Sequence, residues 1–189
     1  MPTSIPVALF PGAQGVAVHG AHRVTWARLP RAGISFAFVR CSVGAARELA
    51  FAGHVAGARA AGVLVGALCS ADVNGAPEPQ AAALVRAGAA LDLPPVVEAH
   101  GASPEWLASF LRVVAASGQA CIVKGYAGEL PEGAARLTVD HNVREPREPG
   151  AFWEVYGEVP QAGPPGACLG VAGALARIVY TGTTLRKVG

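Results

Sequence analysis

Short apolar runs alternate along this chain with longer stretches of helical period. The runs at residues 15–19, 34–41, 63–69, 93–101 and 120–124 are rich in β-branched and aromatic side chains and read as strands buried on both faces. Between them lie a small helix over residues 25–31 carrying Trp26 and Leu29, and a longer one over 45–61. In the latter, Leu49, His54 or Val55, and Ala58 fall at helical spacing, and Gly62 provides the stop. An alanine-rich helix follows the loop at 71–79 and runs to about residue 91. The next begins at Ser103-Pro104-Glu105, with a serine N-cap and proline in the first turn. Trp106, Leu107, Phe110, Leu111 and Val114 form its apolar stripe, and Gly118 closes it. Beyond Tyr126 the pattern loosens, with strand-like runs at 137–140, 152–156 and 176–180. Eight strands and four or five helices, the helices reduced in the last third, predict an α/β protein. The architecture expected is a TIM-barrel-like (β/α) barrel, one domain over residues 1–189. Val16, Val18, Phe36, Phe38, Val65, Val96, Ile122 and Val139 are expected on a closed, parallel barrel.

Composition changes this picture little. The 189 residues suffice for one domain with a sizeable core. A formal charge of +2, with no Lys/Arg cluster, argues against nucleic acid as a partner. Met1-Pro2-Thr3-Ser4-Ile5-Pro6 has neither a basic start nor an apolar segment, so no signal peptide and cytoplasmic synthesis are expected. No apolar window is long enough to span a membrane. Cys41, Cys69, Cys121 and Cys168 are widely spaced, which suits buried free thiols.

The candidate chemistry concentrates in Leu93-Pro94-Pro95-Val96-Val97-Glu98-Ala99-His100-Gly101. Side chains alternate along a strand, so Glu98 and His100 share one face at its C-terminal end, where sites of α/β barrels lie. His19, Cys69, Glu98, His100 and His141 all fall near predicted strand ends and are chemically suited to zinc, but no short-spaced ligand pair exists. Neither a metal nor another cofactor is expected. Trp153 and Tyr156 divide between a core role and stacking on a sugar. The loop Arg144-Glu145-Pro146-Arg147-Glu148-Pro149 reads as a solvated connection or a contact arm.

Several stretches resemble glycoside hydrolase family 25, the Chalaropsis-type lysozymes. Gly15-Val16-Ala17-Val18 and Val24-Thr25-Trp26 are similar to the family's opening Gly-Ile-Asp-Val and Ile-Asp-Trp. Residues 32–40 are similar to its second strand, and residues 56–67 to the helix leading into its third. Pro94 to His100 takes the place of its Pro-Val-Leu-Asp-Val-Glu, and Tyr180-Thr181-Gly182-Thr183 that of its Phe-Asn-Gly-Thr. The resemblance implies a barrel with acidic residues at the C-terminal ends of strands. Carried over by position, they become Ala17, Glu98, His100 and Ala176. A family tyrosine becomes Val123, and a Tyr-His-Phe becomes Leu68-Cys69-Ser70.

Glycoside hydrolysis uses two carboxyl groups, or one with a neighbouring carbonyl, and here one carboxylate survives. The expectation from the sequence is therefore a chain that is not an enzyme, a pseudoenzyme of lysozyme descent. Its role would be that of a structural or adaptor subunit of a phage or phage-tail-like particle, with other protein subunits as partners. One alternative is a non-catalytic module binding cell-wall glycan through Glu98, His100, His19, Trp153 and Tyr156. Another is an active muramidase using Glu98.

Overall fold

A computed structural model describes Leu9 and residues 13–126, together with the strand backbones at 135–139, 152–155, 171–172 and 176–180. Val139, Glu154 and Trp153 enter only as backbone positions, and Asp140, His141, Tyr156, Cys168 and the loop 144–149 lie outside the described residues.

The strands in chain order are β1 (Gln14–Val18), β2 (Arg23–Val24), β3 (Ile34–Val43), β4 (Ala46–Arg47), β5 (Leu64–Ser70), β6 (Val96–Glu98), β7 (Ile122–Tyr126), β8 (Ala135–Val139), β9 (Phe152–Val155), β10 (Val171–Ala172) and β11 (Ala176–Tyr180). Helices α1 (Phe51–Ala60), α2 (Pro77–Gly88) and α3 (Pro104–Ala116) cross between β3 and β7, and two single 3-10 turns follow β2. The main sheet runs β1-β11-β9-β8-β7-β6-β5-β3-β4, and β1 also pairs with β3, so eight strands close into a ring. The expected barrel is thus present, with one correction to its parallel character. β11 runs antiparallel to both β1 and β9, while the other described pairs of the ring are parallel. Parallel neighbours need a crossover and antiparallel ones do not.

Alternation sorts the side chains into two packed layers. Phe36, Phe38, Leu68, Val96 and Ile122 point into the ring and meet one another and Leu93. Their alternates face outward: Ala37, Val39 and Val65 pack on Ala58 and the Trp26–Leu29 turn. Ala67, Cys69, Val97 and Val123 pack on Leu84 of α2 and on Phe110 and Val114 of α3. Two glycines make room inside for aromatic rings. A Cβ on Gly66 would sit 2.6 Å from Phe38 Cδ1, and one on Gly15 would run into the Phe36 ring. The seven expected barrel residues with described side chains are all buried.

Helix α3 begins as its sequence predicts. Ser103 Oγ accepts from the Trp106 amide at 3.2 Å, Pro104 fills the first turn and Glu105 sits beside the helix N-terminus. Trp106, expected in the core, is only half-buried. Its ring stacks on Phe110 and its Nε1 donates to Gly75 O at 2.8 Å. The helix expected over 45–61 is shorter. Its first half instead makes a hairpin, Ser42 pairing with Arg47 and Val43 with Ala46, turned at Gly44 with φ +54°. Glu48 then ties back to the barrel, its amide donating to Cys41 O at 2.8 Å and its carboxylate pairing with Arg40 at 2.8 Å. That pairing overrides helical spacing and leaves Leu49, expected on the buried stripe, 91% exposed.

Candidate functional site

The inward C-terminal ends of the strands form a mouth, and one row of it carries charge. Ser70, Glu98 and Lys124 stand opposite one another across β5, β6 and β7. Counting by twos from Leu68, Val96 and Ile122, which face the interior, places all three inward. Glu98 Oε2 accepts from Ser70 Oγ at 3.1 Å, while Oε1 lies 2.9 Å from Lys124 Nζ and 3.4 Å from His100 Nε2. The pairing of Glu98 with His100 on one face is as expected. Burial alone would raise the Glu98 pKa. The His100 hydrogen bond and the Lys124 charge outweigh it and bring the pKa down to about 2. Glu98 is therefore an anion at any ordinary pH. No second carboxylate is among the described groups that act on it.

The next sector of the rim is imidazole-rich. His19 and His22 follow β1, with ring centroids 3.6 Å apart, and the His19 amide donates to His22 Nδ1 at 3.1 Å. Burial lowers the His19 pKa and the Arg40 charge lowers it further. Burial, then His19, push His22 down to about 4. Both are neutral at pH 7. The Arg40–Glu48 pair stands nearby, with Glu48 pressed against Gly20.

On the closing side one pair of the row is made of alanines. Ala17 faces the interior layer and pairs in register with Ala176 of β11. Two positions to which the resemblance assigns acids thus adjoin each other as alanines. Trp153 lies on β9 opposite Thr138 and Val179.

Two residues were missed from the sequence and one was misplaced. Val123, aligned with a family tyrosine, faces α3 rather than the mouth, and Lys124 takes the inward place. The mouth accordingly carries a cation beside its carboxylate. Ser70 is named from the sequence only as the last position of Leu68-Cys69-Ser70, with no role at the mouth. A lone lysine in the run Cys121-Ile122-Val123-Lys124 was the available signal, since a buried cation needs a partner.

Among the described residues no three His, Cys, Asp or Glu side chains converge as a metal site. Cys69 faces the helices, away from Glu98, and burial raises its thiol pKa along with those of Cys41 and Cys121, to about 11 and about 12 for the last two. No helix of the described residues is long and apolar enough to cross a membrane. Beside Lys124 a cavity of about 200 Å³ is lined by Ala99, Gly101, Ala102, Leu107, Val123 and Gly125.

The sequence matches no family profile, and no curated protein matches it either. Solved structures do match. A family 25 glycosyl hydrolase from Bacillus anthracis superposes with a TM-score of 0.70 at 16% identity, covering 90% of this chain and 89% of that one. The bacterial lysozyme of Streptomyces coelicolor gives 0.70 at 20% identity, covering 93% and 94%. The catalytic domain of the endolysin of Listeria bacteriophage P40 gives 0.69 at 12% identity, covering 93% and 96%. The expectation of a chain that is not an enzyme is corrected by this comparison, because the matching proteins just named are a glycosyl hydrolase, a lysozyme and an endolysin catalytic domain. The chain carries, over nearly its whole length, the barrel fold of the family 25 lysozymes.

Proposed function

We propose that this chain is a lysozyme-like hydrolase of cell-wall glycan, acting through Glu98 and His100 at the barrel mouth. The observation that carries the reading is the Glu98 carboxylate, inward at the C-terminal end of β6, in a fold shared with lysozymes. Cleaving a glycosidic bond takes a proton on the leaving oxygen and negative charge facing the anomeric carbon. An ionised Glu98 supplies the second requirement and not the first.

His100 supplies the proton. In the first half-reaction the bond from the anomeric carbon to the leaving oxygen breaks, and its electron pair stays on that oxygen. The oxygen takes a proton from the imidazolium, while the Glu98 carboxylate faces the positive anomeric carbon. In the second half-reaction a water adds to that carbon and gives its proton to the imidazole. One water is consumed per bond, and both side chains return to their starting state.

The test is release of reducing ends from bacterial peptidoglycan by the purified chain. Glu98→Gln and His100→Ala are each expected to lower the rate at least about 100-fold, the usual contribution of a positioned acid–base or charged group. No release by the unmodified chain, at high concentration and long incubation, overturns the reading.

A further inference from the structure

Lys124 is 5% exposed, far deeper than the rim position of His100. An ammonium at such depth is costly unless a counter-charge meets it, and Glu98 stands 2.9 Å away. The geometry is set by the sheet itself, since the backbone register aligns Ser70, Glu98 and Lys124 across three adjacent strands. One Glu98 oxygen is held by Ser70 and the other by Lys124 and His100. A carboxylate bonded at both oxygens from two sides has one orientation. Protonating it would remove the counter-charge and leave the buried ammonium only a neutral carbonyl oxygen to meet.

We propose that Lys124 is a positioning residue of this site, which with Ser70 holds Glu98 in one orientation as a carboxylate and so restricts it to the anionic role. The assignment of a role in catalysis rests on the hydrolytic reading above. The charge coupling between Lys124 and Glu98 does not. Lys124 acts only through Glu98, so it needs no contact with the glycan.

The experiment is a carbon-13 NMR titration of the glutamate carboxyls in the full chain, with the Glu98 signal assigned by its disappearance in Glu98→Gln. In the unmodified chain its midpoint is expected at about 2. Lys124→Met and Lys124→Gln are expected to raise that midpoint by at least about one unit, the effect of removing an adjacent opposite charge. Lys124→Arg, which keeps the charge, is expected to restore most of the shift. A folded Lys124→Met or Lys124→Gln chain whose Glu98 midpoint is unchanged overturns the proposal.

The unmodified chain gives an arm that does not depend on those variants folding. The Lys124 ammonium signal is expected to move at the same low-pH midpoint as the Glu98 carboxyl, and independent titration of the two overturns the proposal. In reducing-end assays the acid limb of the pH profile moves upward in Lys124→Met, and kcat falls more than KM changes. Absence of hydrolysis by the unmodified chain removes the hydrolytic reading alone, and the titration still decides the coupling.

Discussion

The two sides of the barrel mouth are built on the same kind of strand and carry opposite chemistry. Across β5, β6 and β7 the inward row ends in Ser70, Glu98 and Lys124, each in contact with the next. Across β1 and β11 the corresponding place holds Ala17 opposite Ala176. The polar side concentrates its interactions in one fixed carboxylate. The alanine pair itself carries only methyl groups, which give no proton, charge or directed bond at that place. At this level of the mouth the charged row stands on one wall and the alanine pair on the other.

Acid separates the two walls most strongly. Glu98 has a pKa depressed from 4.5 to about 2. A depressed carboxylate contributes stability that is full above its unfolded pKa and is lost as pH falls through the folded one. At 1.36 kcal/mol per unit this amounts to at most about 3 kcal/mol, less for its partial exposure. Urea unfolding between pH 6 and pH 2 is expected to show that loss, and Glu98→Gln to remove it from the profile. His22, lowered from 6.5 to about 4, adds a loss in the same direction over that higher window.

A second experiment asks whether the walls share one floor. Gly66→Ala drives a methyl into Phe38 below the charged side, and Gly15→Ala drives one into Phe36 below the alanine side. Both are expected to lower stability by about 1–3 kcal/mol in denaturant melts, the usual cost of overpacking. Unequal costs would show that the interior yields on one side. Ala17→Ser adds one hydroxyl to the alanine wall, where Ala17 is half-buried. Its expected cost is below about 1 kcal/mol by the same measurement, so that wall tolerates what the charged row does not. The smallest effect belongs to Leu49, outside both walls, where Leu49→Ala is expected to stay within about 0.5 kcal/mol.

Much of the barrel was readable because buried strands and capped helices leave strong local marks. The runs at 34–41 and 63–69 and the Ser103-Pro104 start of α3 each sit where the structure has them. Glu98 and His100 could be joined from alternation alone. The misses have a common cause in interactions between distant residues. Glu48 leaves helical spacing for Arg40, and periodicity carries no sign of strand direction, so the reversal of β11 was invisible. Lys124 was missed because the family alignment assigned the site to Val123, one residue and hence one face away.

Ring closure has a consequence for how the molecule assembles. β1 has two partners: Gln14 pairs with Ile34 of β3 and with Val179 of β11. The first contact forms within a short span of chain and the second joins nearly opposite ends of it. Contacts of such long span are slow to form, because a large loop must be ordered before they bring any gain. During synthesis β1, β3 and β5 can pair early, while one edge of β1 stays open until β11 has emerged. An open edge is a template for another chain. The hazard of misassembly therefore lies on the alanine wall, and the mouth is complete only when the last strand arrives.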